Sequence, residues 1–226
     1  MGIFESYGTF LLIILVRHFH GTSLDKSIVA SAGTSGLLLS PVLLFLSRNL
    51  GFSAPKTLSR LLAISSCAFL VAATMSETTL FVALVTIGIL LPSTASPLLT
   101  SIFNNNYPPH KRGRLYAQNQ AIRILTSIIF GGIAGWFITG AVELYYVLIL
   151  IFAAALACSS YLVSQIPGDN QSTPPSPLLS CFTYLASDSL LRNTTISWML
   201  LGFGNLMMLP LRVEYLANQK YGLNLS

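Results

Sequence analysis

The chain has 226 residues, of which 53% are apolar and only 8% are charged, whereas about 25% are charged in ordinary soluble domains. Its formal net charge of +5 comes from 12 basic and 7 acidic side chains spread along the sequence, and these do not form the basic stripe that binds nucleic acid. The composition therefore argues against a soluble domain and against nucleic-acid binding, and it predicts a membrane protein.

Seven apolar stretches follow one another along the chain, and about 20 apolar residues are enough to cross a bilayer as a helix. Charged residues or Gly/Pro-containing turns, which a hydrocarbon interior does not accept, separate them. The first stretch predicts a clipped helix, because Glu5 interrupts it. The predicted spans are residues 2–19, 27–46, 58–74, 80–103, 117–139, 144–163 and 196–211. The fold class that follows is an all-α, polytopic membrane helix bundle with about seven transmembrane helices.

A segment that cannot be helical lies between the sixth and seventh spans. Residues 165–177 hold four of the chain's 11 prolines, and proline removes a helix N–H and fixes φ. The half-apolar residues 178–192 predict a helix lying at the interface. The predicted organisation is a six-helix bundle over residues 1–164, a cytoplasmic linker with this interfacial helix over 165–192, and a seventh span with the start of an outer loop over 193–226.

Basic residues concentrate in alternate loops, after the second and the fourth spans. The loops after the third and fifth spans contain Glu77 and Glu143 and no basic residue. Since cytoplasmic loops collect Lys and Arg, we expect an integral protein of the cell or inner membrane with its N-terminus and linker in the cytoplasm. The basic residues after the second and fourth spans are Arg48, Lys56, Arg60, Lys111, Arg112 and Arg114.

This layout of six spans, a cytoplasmic Pro/Ser-rich linker and a seventh span resembles the first half of a major facilitator superfamily (MFS) transporter. The local similarity is best at residues 106–114, Asn-Tyr-Pro-Pro-His-Lys-Arg-Gly-Arg, which is similar to the loop between the fourth and fifth helices of that superfamily. The resemblance implies that Arg112, Gly113 and Arg114 lie at the entrance to helix five. There the guanidinium groups pair with acidic groups or lipid phosphates, or they are ordinary positive-inside charge.

The superfamily's gate signature between helices two and three is matched in part. Arg48, Gly51 and Lys56 are the counterparts of its basic and glycine positions, whereas Ser47 stands where the family has an acid. A serine cannot form the same charge-assisted latch. The resemblance therefore does not carry over the family's gating contact, or proton coupling through that acid.

Gly131 and Gly135 have the G-x-x-x-G spacing in the fifth span. Small residues at this spacing let helix backbones approach closely. The family's proline in this motif is missing, so we expect these glycines to serve helix packing rather than antiporter gating.

Span four contains Pro92 and Pro97 with Ser93, Thr94 and Ser96 between them. Prolines free backbone carbonyls and kink a membrane helix, and transporters place part of a binding site at such a kink. The other interpretation, which we favour, is that the hydroxyls satisfy the freed backbone.

The predicted spans contain almost no ionisable side chain from which a charged site could be built. Apart from Arg17, His18 and Arg60 in the outermost three residues of their spans, Glu5 and Arg123 are the only two, and both lie near cytoplasmic ends, where snorkelling to water lowers their cost. A strongly charged substrate is therefore not expected from this half, and recognition falls to hydrogen-bonding groups or to a second half. The candidate residues of the substrate cavity are Ser93, Ser96, Gln120, Thr126 and Asn205.

An enzyme is the less favoured alternative. Residues 33–36, Gly-Thr-Ser-Gly, match the string that rhomboid-type intramembrane proteases place around their serine, but Ser35 needs a histidine within hydrogen-bond reach. His20 and His110 fall in predicted loops and His18 lies next to one, at the end of the first span, so we expect small-residue packing instead. No zinc or nucleotide motif occurs, and the three cysteines form no C-x-x-C pair, so no enzyme activity, metal or cofactor is predicted.

The sequence thus predicts a permease of the major facilitator type that moves a small solute by alternating access. One half cannot do this alone, which leaves a fragment of a longer permease, a chain that pairs with another half or with its own copy, or a non-transporting remnant. We expect the fragment, since the first span begins late and the chain stops just after an outer loop begins. The expected partners are the lipid bilayer, an unidentified small molecule, and a second half or a homodimer.

Overall fold

The computed structural model describes residues 2–49, 51–140, 145–168 and 185–217, and the regular structure within these ranges is α-helix throughout. The helices are α1 (Gly2–Glu5), α2 (Tyr7–Arg17), α3 (Ser23–Asn49), α4 (Ala54–Ala72), α5 (Thr78–Thr94), α6 (Ser96–Asn106), α7 (Pro109–Gly140), α8 (Tyr145–Ser164) and α9 (Ser189–Ala217). Every predicted span falls on one or two of these helices. Most of the predicted linker and interfacial helix, residues 169–184, lies outside the described part.

Four stretches of the described chain are long and apolar enough to cross a membrane by length and composition, and residues 8–17 form a shorter apolar helix. The all-α, membrane-embedded class is therefore indicated, while the count of seven crossings stays a prediction. The four stretches are Ser23–Ser47, Thr78–Asn106, Pro109–Phe137 and Tyr145–Ser164.

Two predicted spans are interrupted by short breaks. The first span is interrupted at Ser6, whose hydroxyl donates to the Ile3 carbonyl at 2.8 Å, so it consists of α1 and α2. The fourth span breaks at Ala95, which has φ −85° and ψ 0°. Pro97 follows in the first turn of α6, a position where its missing N–H costs nothing. Span four is therefore two helices.

α7 begins earlier than predicted, at Pro109 instead of residue 117. Proline is suited to a first helical turn because its φ is already helical, and the Lys111 N–H donates to the Pro108 carbonyl at 3.0 Å. The prediction that His110 lies in a loop is wrong, since it lies in the first turn of α7. α9 likewise begins at Ser189, where the Asp188 carboxylate accepts the Leu190 N–H at 2.9 Å.

α4 is the central helix of the bundle. It packs against α8, α5 and α6, while α3 packs against α5 and α6, and α1 packs against α7 and α8. Phe69 of α4 is fully buried and its ring contacts Phe4 and Phe152, with centroids 5.9 Å and 6.3 Å away. The side chain of Phe69 thus joins α1, α4 and α8 in one aromatic core.

Hydrogen bonds from serine hydroxyls join α4 to α8. The Ser59 hydroxyl donates to the Ser160 carbonyl at 2.9 Å, and the Ser160 hydroxyl donates back to the Ser59 carbonyl at 2.7 Å. Two turns along α4, Ser66 donates to the Ala153 carbonyl at 2.8 Å. Small side chains let the two backbones come this close, and the hydroxyls replace the hydrogen bonds that lipid cannot supply.

The bundle has two distinct ends because the helices run alternately up and down. At one end, which we call the aromatic end, His18, Phe19, Phe81 and Tyr145 contact one another, with Phe19 and Phe81 stacked at 4.2 Å. The Tyr145 hydroxyl there lies 3.5 Å from the Met75 carbonyl, which follows α4.

At the opposite end, which we call the basic end, residues 51–53 lead into α4 and residues 165–168 leave α8. The α6–α7 turn lies at this end too, because α4 and α5 are antiparallel neighbours and Ser65 meets Gly88, which places α6 beside the first half of α4. The basic side chains described at this end are Lys56, Arg60, Lys111, Arg112 and Arg114.

Two of the prolines inside helices, Pro41 and Pro92, each free a carbonyl that a serine then satisfies. Pro41 has no N–H for the Leu37 carbonyl, which accepts the Ser40 hydroxyl at 2.7 Å. Pro92 likewise leaves the Gly88 carbonyl without its helical partner, and Ser65 of α4 donates to it. Hydroxyls therefore repair both interruptions.

We expect Ser65→Ala to lower the free energy of unfolding by about 1–2 kcal/mol, because the Gly88 carbonyl then stays unpaired in a buried contact. Unfolding in mixed micelles measures this difference. The matched background is Pro92→Ala, which returns an N–H to the same carbonyl, so Ser65→Ala should cost clearly less there. An equal cost in both backgrounds would show that the hydrogen bond to Gly88 is not what Ser65 contributes.

Candidate functional site

The break in span four lies directly against α3. A Cβ built on Gly36 would lie 2.6 Å from the Leu90 carbonyl oxygen and 2.7 Å from the Ser93 Cβ, so only glycine allows this approach. Ser93 is half-buried at this contact and its hydroxyl donates to the Ile89 carbonyl at 2.9 Å. The candidate cavity residue Ser93 is thus held at the α3–α5 contact in the middle of the span.

The other hydroxyls near the break differ in their surroundings. Thr94 is buried, and its hydroxyl donates to the Leu91 carbonyl at 2.6 Å, so it satisfies its own helix. Ser96 is exposed at the start of α6. Of the polar residues around Pro92 and Pro97, Ser96 is therefore the one best placed to meet a molecule outside this half of the bundle.

Gln120 and Thr126 lie on the part of α7 that faces α1. The Arg123 guanidinium donates to Gln120 Oε1 at 2.8 Å, and the Thr126 hydroxyl donates to the Ile122 carbonyl at 2.8 Å. A Cβ on Gly2 would lie 2.8 Å from the Thr126 Cβ, so α1 rests directly on this stretch. Both candidate residues are already engaged within α7, and the Glu5 side chain lies outside the described part.

Asn205 is exposed on α9, the helix that packs against α2 and α3. The five candidate cavity residues therefore occupy three places: Ser93 and Ser96 at the break, Gln120 and Thr126 beside α1, and Asn205 on α9. The described hydrogen bonds do not join these three places.

The glycine of the partial gate signature has a local structural role. Gly51 has φ +64°, a left-handed conformation that glycine adopts readily. The Phe52 N–H donates to the Ser47 carbonyl at 3.1 Å, so Gly51 ends α3 in a Schellman motif. Ser47 itself is buried and its hydroxyl donates to Leu44, while the side chain of Arg48 lies outside the described part.

Two further contacts organise this loop, and the sequence did not predict either. The Arg60 guanidinium carbon lies 3.9 Å from the centre of the Phe52 ring, a cation–π geometry. A Cβ on Gly168 would lie 2.6 Å from Pro55 Cδ, so the first residues of the linker rest on the start of α4. The only feature of the sequence that could have indicated the Arg60–Phe52 contact is a basic residue that follows a loop aromatic by about two helical turns. Lys56, which lies between these two residues, is exposed.

The Arg112 side chain forms hydrogen bonds to backbone carbonyls within the α6–α7 turn. Its Nε donates to the Tyr107 carbonyl at 2.7 Å and its Nη2 to the Asn104 carbonyl at 2.6 Å. The last carbonyls of a helix lack helical partners, so Arg112 caps α6. Gly113 and Arg114 are exposed. The two arginines thus differ in function, although the motif treats them alike.

Gly131 and Gly135 face open space among the described residues. A Cβ on either would meet no atom within 4 Å, unlike one on Gly2, Gly36 or Gly88. Their predicted packing role therefore stays a prediction that concerns a partner outside the described residues.

The alternative of an intramembrane serine protease gains no support from the described contacts. His18 lies at the aromatic end against Tyr145, with ring centroids 4.2 Å apart, and His110 lies at the basic end. No described hydrogen bond joins Ser35 to a histidine. Among the described residues, no group of three or more His, Cys, Asp or Glu could hold a metal.

Comparison with protein-family models, with curated proteins and with solved structures finds no match to this chain.

Proposed function

We propose that the chain is the N-terminal six-helix half of a permease of the major facilitator type, with its linker and seventh helix, and that it moves a small solute by alternating access together with a second half. The observation that carries this proposal is the internal symmetry of the helix contacts. In this assignment α1 with α2 is span one, α3 is span two, α4 is span three, α5 with α6 is span four, α7 is span five and α8 is span six.

The main contacts among the six spans map onto one another when spans one, two and three are exchanged with four, five and six. The contact of three with six maps onto itself. The contact between spans two and four maps onto the contact between spans five and one. The contact between spans three and four maps onto that between spans six and one, and the contact between spans one and two maps onto that between spans four and five. Such a 3+3 repeat is what the superfamily builds into each six-helix half. Two related three-helix units are thus supported without any sequence match.

The symmetry also relates the two interrupted spans. Span one is interrupted at Ser6 and span four at Ala95, and these two spans occupy corresponding positions in the two units, although the break lies nearer the start of span one. Discontinuous helices at corresponding positions are the best pointer to a transporter's binding site. We therefore place the substrate side of this half along spans one and four, with Ser93 and Ser96 nearest to it.

The solute we expect is small and not strongly charged. Recognition from this half rests on hydroxyl and amide groups, since Glu5 and Arg123 are the only charged side chains more than three residues inside a predicted span, and buried charge is what a strongly ionic substrate would require. Ser96 is the exposed donor and acceptor for such a solute. Orientation with the basic end in the cytoplasm follows from the positive-inside rule.

The proposal predicts that Ser96 borders water although it lies in the middle of a span. In a variant whose native cysteines are replaced by serine, we expect a hydrophilic maleimide to label Ser96→Cys in membrane vesicles. The matched control is Ile64→Cys, which is 54% exposed on α4 and faces lipid in this assignment, where a thiol does not form the reactive thiolate. It should stay unlabelled.

If the maleimide labels neither cysteine, there is no water-filled path beside span four. Labelling of both to the same extent would mean that the bundle does not sit in the bilayer as assigned. Addition of a transported solute should slow the labelling of Ser96→Cys and leave every other exposed position unaffected.

One alternative is also supported by an observation: the chain could associate with a second copy of itself instead of with a different second half. The open faces of Gly131 and Gly135 on α7 favour a close helix partner there, and that partner is either the second half or a second chain. Native mass in mild detergent separates these two possibilities. The serine-protease alternative would require an activity that Ser35→Ala abolishes.

A further inference from the structure

The α6–α7 turn is a fixed structure rather than a loose basic loop. Arg112 bonds the carbonyls of Asn104 and Tyr107, which ties the start of α7 to the end of α6. Its charge is therefore used within the turn. The exposed cations that remain on this first part of α7 are Lys111 and Arg114.

Three aromatic rings fix the depth of this turn. Phe103 ends the apolar part of span four, and its ring lies 5.4 Å from that of Tyr107 and 5.7 Å from that of Tyr116. Tyr107 is 39% exposed and Tyr116 49% exposed. Tyrosines of this kind mark the level where hydrocarbon gives way to headgroups. Tyr116 is therefore the side chain of this turn that we expect at the membrane boundary.

Lys111 and Arg114 precede Tyr116 on the same helix. At a rise of 1.5 Å per residue they lie about 7.5 Å and about 3 Å beyond it along the axis. The headgroup layer on each side of a bilayer is roughly 6 Å thick. The two cations therefore lie at the level of the lipid phosphates.

The charge around this turn is not balanced by the neighbouring sequence. No Asp or Glu occurs between Glu77 and Glu143, a stretch that covers α5, α6 and α7. We propose that the turn binds the headgroup of an anionic lipid, with Lys111 and Arg114 contacting the phosphate and Arg112 as the positioning residue. This requires only that α6 and α7 lie in a bilayer, so it stands or falls independently of transport.

Titration of the full chain in detergent with phosphatidylglycerol, followed by native mass spectrometry, tests the proposal. We expect one tightly bound phosphatidylglycerol and no comparable retention of phosphatidylcholine. A cation near the surface contributes about 1 kcal/mol, so Lys111→Gln and Arg114→Gln should each weaken binding about five-fold. Lys111→Arg and Arg114→Lys should retain it.

The matched control is Lys56→Gln, which removes one exposed charge from the same end of the bundle but from α4. It should leave phosphatidylglycerol binding unchanged. If Lys56→Gln weakens binding as much as Lys111→Gln, the effect is the diffuse field of the basic end and the site does not exist. Displacement of the lipid by an equal concentration of inorganic phosphate would show a free-anion site and also overturn the proposal.

Discussion

Replacement of Gly36 by leucine should destabilise the bundle more than any other single glycine substitution that the described helices offer. Even the first added carbon would lie 2.6 Å from the Leu90 carbonyl oxygen, 2.7 Å from the Ser93 Cβ and 3.2 Å from the Thr94 nitrogen. Two of these atoms belong to the backbone and cannot rotate away, so α3 has to separate from α5. We expect a loss of about 3 kcal/mol in the free energy of unfolding, measured in mixed micelles, and a smaller loss for Gly36→Ala.

Gly131→Leu is the matched control for this prediction. It makes the same change in the middle of an apolar helix, but at a position where an added Cβ meets nothing within 4 Å. Since leucine favours a helix more than glycine by about 1 kcal/mol, this variant should be as stable as the parent or slightly more stable. If both variants are equally destabilised, the contact at Gly36 is not the cause. A loss of self-association in Gly131→Leu alone would locate the partner of α7.

Truncation of Phe69 to alanine is the second large effect that we expect. The ring is fully buried, contacts Phe4 and Phe152, and fills the space beside Gly88, where a Cβ would lie 2.7 Å from Phe69 Cε2. Removing it leaves a cavity at the meeting point of four helices. The cost should be about 3 kcal/mol, at the lower end for a buried phenylalanine, because lipid is as apolar as the core, so removal of the ring loses packing contacts but little transfer free energy.

The neighbouring Leu70 supplies the control, since it is 46% exposed on the same helix. Leu70→Ala should change the free energy of unfolding by well under half as much as Phe69→Ala. Gly88→Ala offers an independent check, because its clash is with the Phe69 ring. Alone it should destabilise, whereas in the Phe69→Ala background the added methyl fills part of the cavity. Strict additivity of the two substitutions would contradict this packing.

The observed helix limits show which features of the fold the hydropathy of the sequence predicts and which it does not. The predicted fifth span began at residue 117, whereas α7 begins at Pro109, because the basic, polar first turns of this helix have no apolar signal to reveal them. The predicted fourth span was continuous, whereas it breaks at Ala95. The two prolines beside the break were visible, but the close approach of Gly36 of α3, which is distant in sequence, was not.

The candidate site was predictable to a smaller degree than the fold. Ser93 and Ser96 were identified from their position between prolines, and both lie at the break in span four. The placement of Gln120 and Thr126 against α1 was not visible, since a helical pattern does not say which neighbour a face meets. Arg112 and Arg114 looked equivalent, and only the carbonyls of Asn104 and Tyr107 distinguish them.

The composition, together with the charged and Gly/Pro-containing segments that separate the apolar stretches, by itself determined that this protein is helical, apolar and basic at alternate loops. These properties depend on each residue's own transfer free energy and backbone preference, which tertiary contacts do not alter. Only the tertiary structure decided that α4 is central, that Gly36 is crowded while Gly131 is open, and that Ser65 serves Gly88. The reason is that lipid and neighbouring helices are equally apolar, so hydrophobicity does not distinguish a face that meets protein from one that meets lipid.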